Sequence, residues 1–199
     1  MQDEGIIKFN YEWIKSAAPD PVWLKELNEW REILYKSGLV GANREGIGYD
    51  NLSVRYQGNQ FIITGSTTGK IEHLTPEHYA IVTAYDLEKN SLTTKGAIKA
   101  SSESLTHAIM YESDASVNAV LHVHHYELWK SLLRTLPSTG ENIEYGTTAM
   151  AREIYRMMKD PAIRHHQIFG MAGHEGGILA FGKNLPEAGN LLLEKLKHP

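Results

Sequence analysis

The chain has 199 residues and no cysteine, so disulfides and thiolate metal sites are excluded and a transition-metal site must use imidazole or carboxylate. Its net charge of −4, with no Lys/Arg-rich block, argues against nucleic acid as a partner, and no apolar run approaches the ~20 residues of a membrane helix. With 42% hydrophobic and 22% charged residues, and no basic-then-apolar leader at the amino terminus, a single cytoplasmic domain spanning 1–199 is expected.

Residues 1–19 carry Phe9, Tyr11 and Trp13 without a clear period and read as an arm that packs on the body or on a neighbouring subunit. Asp20-Pro21 supplies an N-cap acid and a first-turn proline, and Trp23, Leu27, Trp30 and Leu34 follow at helical spacing up to Gly38. A glycine-rich loop fills 39–50. Strands over 52–56 and 60–64 flank Gln57-Gly58-Asn59, a hairpin signal. The second runs into Gly65-Ser66-Thr67-Thr68-Gly69-Lys70, a loop dense in hydroxyls. A short helix at Thr75-Pro76-Glu77, a strand over 80–86 and a turn at Lys89-Asn90 come next. Ser101-Ser102-Glu103 then precedes Leu105, Ala108, Ile109 and Tyr111, which gives a helix with serines and an acid at its amino end.

Residues 119–124 read as a buried strand. Leu128, Trp129, Leu132 and Leu133 make a helical face ending near 137–140, and Thr147 or Thr148 caps a helix bearing Met150, Ile154, Tyr155 and Met158. Two short strands within 167–182 flank Gly173-His174-Glu175-Gly176-Gly177, and Pro186 opens a last helix with Leu191, Leu192 and Leu196. Hairpins and short connections among alternating strands and helices predict an α/β fold with an antiparallel or mixed sheet flanked by helices.

The chemistry centres on Val120-Leu121-His122-Val123-His124-His125. Side chains alternate along a strand, so His122 and His124 share one face while Leu121, Val123 and His125 share the other. Two imidazoles buried side by side are costly unless something satisfies them, and a divalent cation does so directly. His174, in its glycine-rich turn, is either a third ligand or a solvent-facing hairpin residue. Glu103 is either a carboxylate for the same site or a partner of the helix dipole. Ser101 and Ser102 are either simple caps or, with loop 65–69, donors to an anion. No Gly-Lys-Ser/Thr follows, so neither segment is a Walker-type loop.

Five blocks stand in order along the chain. They are Asp50-Asn51-Leu52-Ser53-Val54-Arg55, Ile63-Thr64-Gly65-Ser66-Thr67-Thr68-Gly69, Ala100-Ser101-Ser102-Glu103 with His107, Ala119-Val120-Leu121-His122-Val123-His124, and Gly173-His174-Glu175-Gly176. Together they resemble the class II aldolase/adducin family. The resemblance implies a three-layer α/β sandwich with a central, largely antiparallel sheet flanked by helices. It implies one zinc ion per chain on His122, His124 and His174, with Glu103 as the acid/base that also touches the metal. Asp50, Asn51, Thr68, Gly69, Ser101 and Ser102 would bind the substrate phosphate.

The implied activity is that of a lyase acting on a small phosphorylated ketose by retro-aldol cleavage through an ene-diolate. A dehydratase or epimerase on the same scaffold is one alternative, and a non-catalytic adducin-like interaction domain is another. The family also implies a homo-oligomer, a tetramer with sites between subunits. The chain departs from the family pattern in places. The Gly-Asn pair reads Asp50-Asn51, Ala100 replaces a proline, and the segment from His124 to Tyr145-Gly146-Thr147 is short. Relatives place a proton-donating tyrosine in that segment; Tyr126 and Tyr145 are the candidates here.

Overall fold

A computed structural model describes residues 6–42 and 48–198; the first residues of the arm, 1–5, and the middle of the glycine-rich loop, 43–47, lie outside the described residues. The first half of the chain gives β1 (Asn10–Lys15), a 3₁₀ turn (Pro21–Trp23), α1 (Lys25–Lys36), the two-residue strands β2 (Gly41–Ala42) and β3 (Gly48–Tyr49), β4 (Asn51–Arg55) and β5 (Phe61–Thr64). A second 3₁₀ turn (Pro76–His78), β6 (Tyr79–Asp86), β7 (Ser91–Gly96), α2 (Ser104–Ser113) and β8 (Ala119–His124) follow. The chain ends with α3 (Tyr126–Thr135), α4 (Thr148–Met157), α5 (Pro161–His166), β9 (Ile168–Gly170), β10 (Gly177–Gly182) and α6 (Leu185–Lys197).

One eight-stranded sheet runs in the order β1-β7-β6-β5-β4-β8-β10-β9. Every neighbouring pair is antiparallel except β1 with β7. The two-residue period of the strands divides their apolar side chains between two cores. Phe61, Ile63, Val82, Val120, Leu179 and Phe181 pack with Leu105 and Ile109 of α2 and Met150 and Ile154 of α4. Leu52, Ile62, Leu121, Val123 and Ile178 pack with Leu27 and Leu34 of α1, Leu128 of α3 and Leu192 of α6. The result is the three-layer sandwich. No helix among the described residues is long and apolar enough to cross a membrane.

Several elements differ from the sequence reading. The arm is a strand: β1 lies parallel to β7 at the sheet edge, and Phe9 beside it is buried in the first core. Asp20 does cap, accepting from the Val22 N–H at 2.9 Å, but it starts a 3₁₀ turn; α1 begins only at Lys25, and Trp23 stays 46% exposed. Strand β7 and helix α5 were not expected. The strand is polar except for Leu92, and the helix is only six residues long, begun by Asp160-Pro161.

One buried charge ties the first helix to the loop after β5. Arg31 sits between Leu27 and Leu34 on the inward face of α1 and is fully buried. Its Nη1 donates to Glu72 O at 2.7 Å, and its Nη2 donates to Gly69 O at 2.9 Å and Thr68 O at 3.2 Å. A guanidinium suits this task because its planar fork serves several carbonyls at once. Replacing Arg31 by Met keeps the bulk but strands these carbonyls. The Arg31→Met protein is expected to lose about 2–4 kcal/mol of unfolding free energy in urea titration. An unchanged midpoint would contradict this role.

Candidate metal centre

His122 and His124 end β8, held between β4 and β10: Asn51 faces His122 on one side and Leu179 on the other. His122 and His124 continue the face begun by Val120, under the amino end of α2. The backbone N–H of His124 donates to Leu39 O at 3.0 Å, which fixes the strand end to the chain leaving α1. His174 comes from the turn between β9 and β10, where its own N–H donates to Met171 O and its carbonyl accepts from Gly177 N–H. One ligand atom from each of the three histidines lies within 4.8 Å of the others. Their ring centroids are 4.5 to 5.1 Å apart.

Glu103 is the N-cap residue of α2, one position before the helix rather than inside its first turn, and its side chain does not cap. The Ser101 hydroxyl accepts the Glu103 N–H instead, at 3.2 Å. The carboxylate is thereby released toward the histidines: Oε1 lies 3.0 Å from His122 Nδ1, and Oε2 lies 3.9 Å from His174 Nδ1. Oε2 is buried and accepts no hydrogen bond among the described residues.

Burial alone would raise the Glu103 carboxyl; the facing charges of His122 and His174, and the bond to His122, outweigh it and hold the group down to about 2. His124 is held well below the ordinary imidazole value, by burial first and then by His174 and His122. An ionised Glu103 and a neutral His124 are protonation states that metal ligation requires. Three imidazoles and a carboxylate, buried and without sulfur, form a donor set for a divalent transition metal, and zinc suits it.

A second polar layer stands behind Glu103. His107, one turn along α2 and fully buried, places Nδ1 2.7 Å from the Ser53 hydroxyl, which lies 2.7 Å from the Tyr111 hydroxyl. The sequence motif included His107 without giving it a task. Asn51 is buried, with its amide nitrogen 3.2 Å from His122 Nδ1. Asp50 has φ 125°, a conformation that favours glycine, so this position carries strain that a glycine would avoid. Its Oδ1 accepts from Gly41 N–H at 3.3 Å and crowds Gly69, where an added Cβ would stand 2.6 Å from it. Thr68 donates its hydroxyl to Gly65 O at 2.9 Å. Thr68 and Gly69 thus form one group with Asp50 and Arg31, and Asn51 links that group to the histidines. Ser102 is buried beside Ser101 at the start of α2.

Of the two candidate tyrosines, Tyr126 is 46% exposed and stacks on Trp129, away from the histidine rings. Tyr145 is buried and stacks on His174. His125 is also accounted for: its ring nitrogen accepts from Leu128 N–H and caps α3. Tyr49, which lies 4.9 Å from the His124 ring, was missed by the sequence reading and had no signal there. Arg31 did have one, since the helical period of Leu27 and Leu34 places it on the buried face.

Residues 26–195 match the sequence model of the Class II Aldolase and Adducin N-terminal domain. The solved L-fuculose-1-phosphate aldolase from Thermus thermophilus is similar at 24% identity and a TM-score of 0.62, covering 85% of this chain and 87% of its own. Another L-fuculose 1-phosphate aldolase gives 22% identity and a TM-score of 0.67 over 91% and 84% of the two chains. The sugar-phosphate aldolase from Thermotoga maritima gives 16% and 0.64 over 87% and 90%. At these identities the structural likeness is one of fold.

The layer behind Glu103 has a measurable pH signature. Burial, with the charge of His122 adding and Glu103 opposing, pushes His107 down to about 3. An unfolded histidine titrates near 6.5, so below that pH the unfolded chain binds a proton that the folded one does not. Stability is therefore undiminished above about pH 6.5 and falls as pH drops toward about 3. In urea titrations of metal-free protein, His107 alone is expected to lower stability at pH 5 by about 2 kcal/mol relative to pH 7.5. His107→Asn should flatten that slope; an equal slope in the variant would assign the effect elsewhere.

Proposed function

The chain belongs to the class II aldolase and adducin family, and on that premise we propose that it is a zinc-dependent lyase splitting a small phosphorylated ketose by retro-aldol cleavage. The observation that carries this reading is the buried cluster of His122, His124 and His174 with Glu103 3.0 Å from His122. In this reading the three histidines hold one zinc ion per chain, and Glu103 completes the resting site. The bound cation supplies Lewis-acid polarisation of a substrate carbonyl.

The chain's own groups do the rest. Glu103, held ionised, starts as a base and takes the proton from the substrate hydroxyl next to the bond that breaks. That oxygen becomes the carbonyl of the departing aldehyde as the C–C bond cleaves. The electron pair left on the remaining fragment is then protonated by the same carboxyl, so Glu103 ends as it began. Asn51, with Thr68, Gly69, Ser101 and Ser102, offers polar groups to the substrate phosphate. Asp50, whose Oδ1 accepts from Gly41 N–H, lies beside these groups in the same region. Fixing the phosphate fixes the pose, and orientation supplies a large share of the barrier reduction.

Purified protein is expected to hold about one zinc per chain, lost with activity on chelation and restored with it. His174→Ala should weaken zinc retention. Glu103→Gln should keep most of the zinc and lower turnover on ketose phosphates by about 10²–10⁴-fold. A Glu103→Gln protein of full activity would rule out the acid/base role. Products of two smaller masses identify cleavage. A product lighter by one water indicates a dehydratase, and one of unchanged mass an epimerase. Protein that takes up no metal and turns over no sugar phosphate would instead support an adducin-like interaction domain.

A further inference from the structure

The three histidines are not held alike. His122 and His124 lie on a strand fixed by neighbours on both sides, whereas His174 rides on a turn. The bonds of that turn fix the backbone of His174, and its ring packs against three other rings. The ring meets those of His122 and His124 at interplanar angles of 46° and 73°. Tyr145 lies flat on it, with centroids 3.9 Å apart and planes 16° from parallel. The segment carrying Tyr145 is pressed onto the turn: a Cβ added at Gly173 would stand 2.1 Å from Ile143 O.

Tyr145 is clamped in turn from the amino terminus. Lys8 places Nζ 4.2 Å from the Tyr145 ring centroid, a cation over an aromatic face. The same ammonium donates to Glu144 Oε1 at 2.6 Å and to Tyr145 O at 3.4 Å, and the Lys8 side chain is only 15% exposed. Phe9 anchors the next residue in the core, and β1 follows. That strand also reaches the opposite wall of the site, where the Tyr11 hydroxyl accepts from Ala100 N–H at 2.7 Å, directly before Ser101.

We propose that the amino-terminal arm is a working part of the metal centre: Lys8, just before β1, holds Tyr145 against the His174 imidazole, and this stack sets the ring's orientation and the lifetime of the bound metal. The inference rests on the metal reading above. Tyr145 and Lys8 act through His174, so both are positioning residues. Partners that orient a ligating histidine typically change metal affinity by 10–100-fold when removed.

Cobalt(II) added to chelator-stripped, full-length protein reports the site through its visible absorption, and transfer to a competing chelator reports the metal's lifetime. Tyr145→Phe keeps the ring and is expected to match the wild type within about twofold in release rate, with the same spectrum. Tyr145→Ala should release cobalt about 10–100-fold faster with a shifted band. Lys8→Met should move in the same direction by a smaller factor, and Lys8→Arg should restore wild-type behaviour. Should Tyr145→Ala fail to fold, the Lys8 pair, near the surface, decides the matter. Spectra and release rates unchanged in Lys8→Met and in any folded Tyr145→Ala protein overturn this inference alone. Wild-type protein that binds no cobalt overturns the metal reading itself, and this inference with it.

Discussion

Three imidazoles and a carboxylate share one buried space at the end of β8, and that concentration of polar groups constrains everything around it. A single unsatisfied group of this kind costs several kcal/mol to bury, so four together need opposite charges, close approach and a fixed geometry. The fold meets each need from a different element. Strand β8, flanked by β4 and β10, holds two rings in register. Helix α2 begins where its first residues can leave Glu103 facing those rings, and the turn after β9 brings the third ring to them.

The surroundings are organised to keep that space rigid. The Ser101 hydroxyl satisfies the Glu103 N–H, which frees the carboxylate from capping and directs it inward. Behind it, Ser53, His107 and Tyr111 form a hydrogen-bonded chain from β4 to α2, so the polar cluster backs onto further polar groups rather than bare apolar core. Arg31 closes the loop after β5 from the opposite layer by bonding three of its carbonyls. Residues far apart in sequence thereby share one requirement: that the imidazoles and Glu103 do not move apart.

The parts legible in the sequence were those governed by local periodicity and capping. Strand β8 announced itself through apolar alternation interrupted by histidine, and His122 and His124 fell on one face as the period of two requires. Glu103 was visible because serines precede it, although whether it capped or faced the histidines depended on which hydroxyl took its N–H. The class of fold followed from hairpin signals such as Gln57-Gly58-Asn59. What was not legible depends on long-range pairing. Strand β1 carries Tyr11 and Trp13 at alternate positions, but it pairs with the mostly polar β7, 81 residues further on at Asn10 and Ser91, and neither strand alone reveals the other. The stack of Tyr145 on His174 arises from two turns pressed together, and no local pattern encodes that approach. Arg31 sits on an apolar stripe where a charge reads as an exception until its carbonyl partners are in place.

The central claim is that His122, His124, His174 and Glu103 ligate one metal ion. X-ray absorption at the zinc edge of zinc-loaded protein measures that coordination directly. The account predicts a four-coordinate first shell of about three imidazole nitrogens and one oxygen, at roughly 2.0–2.2 Å, with the multiple-scattering pattern of histidine. A shell of oxygens alone, without imidazole scattering, would contradict it.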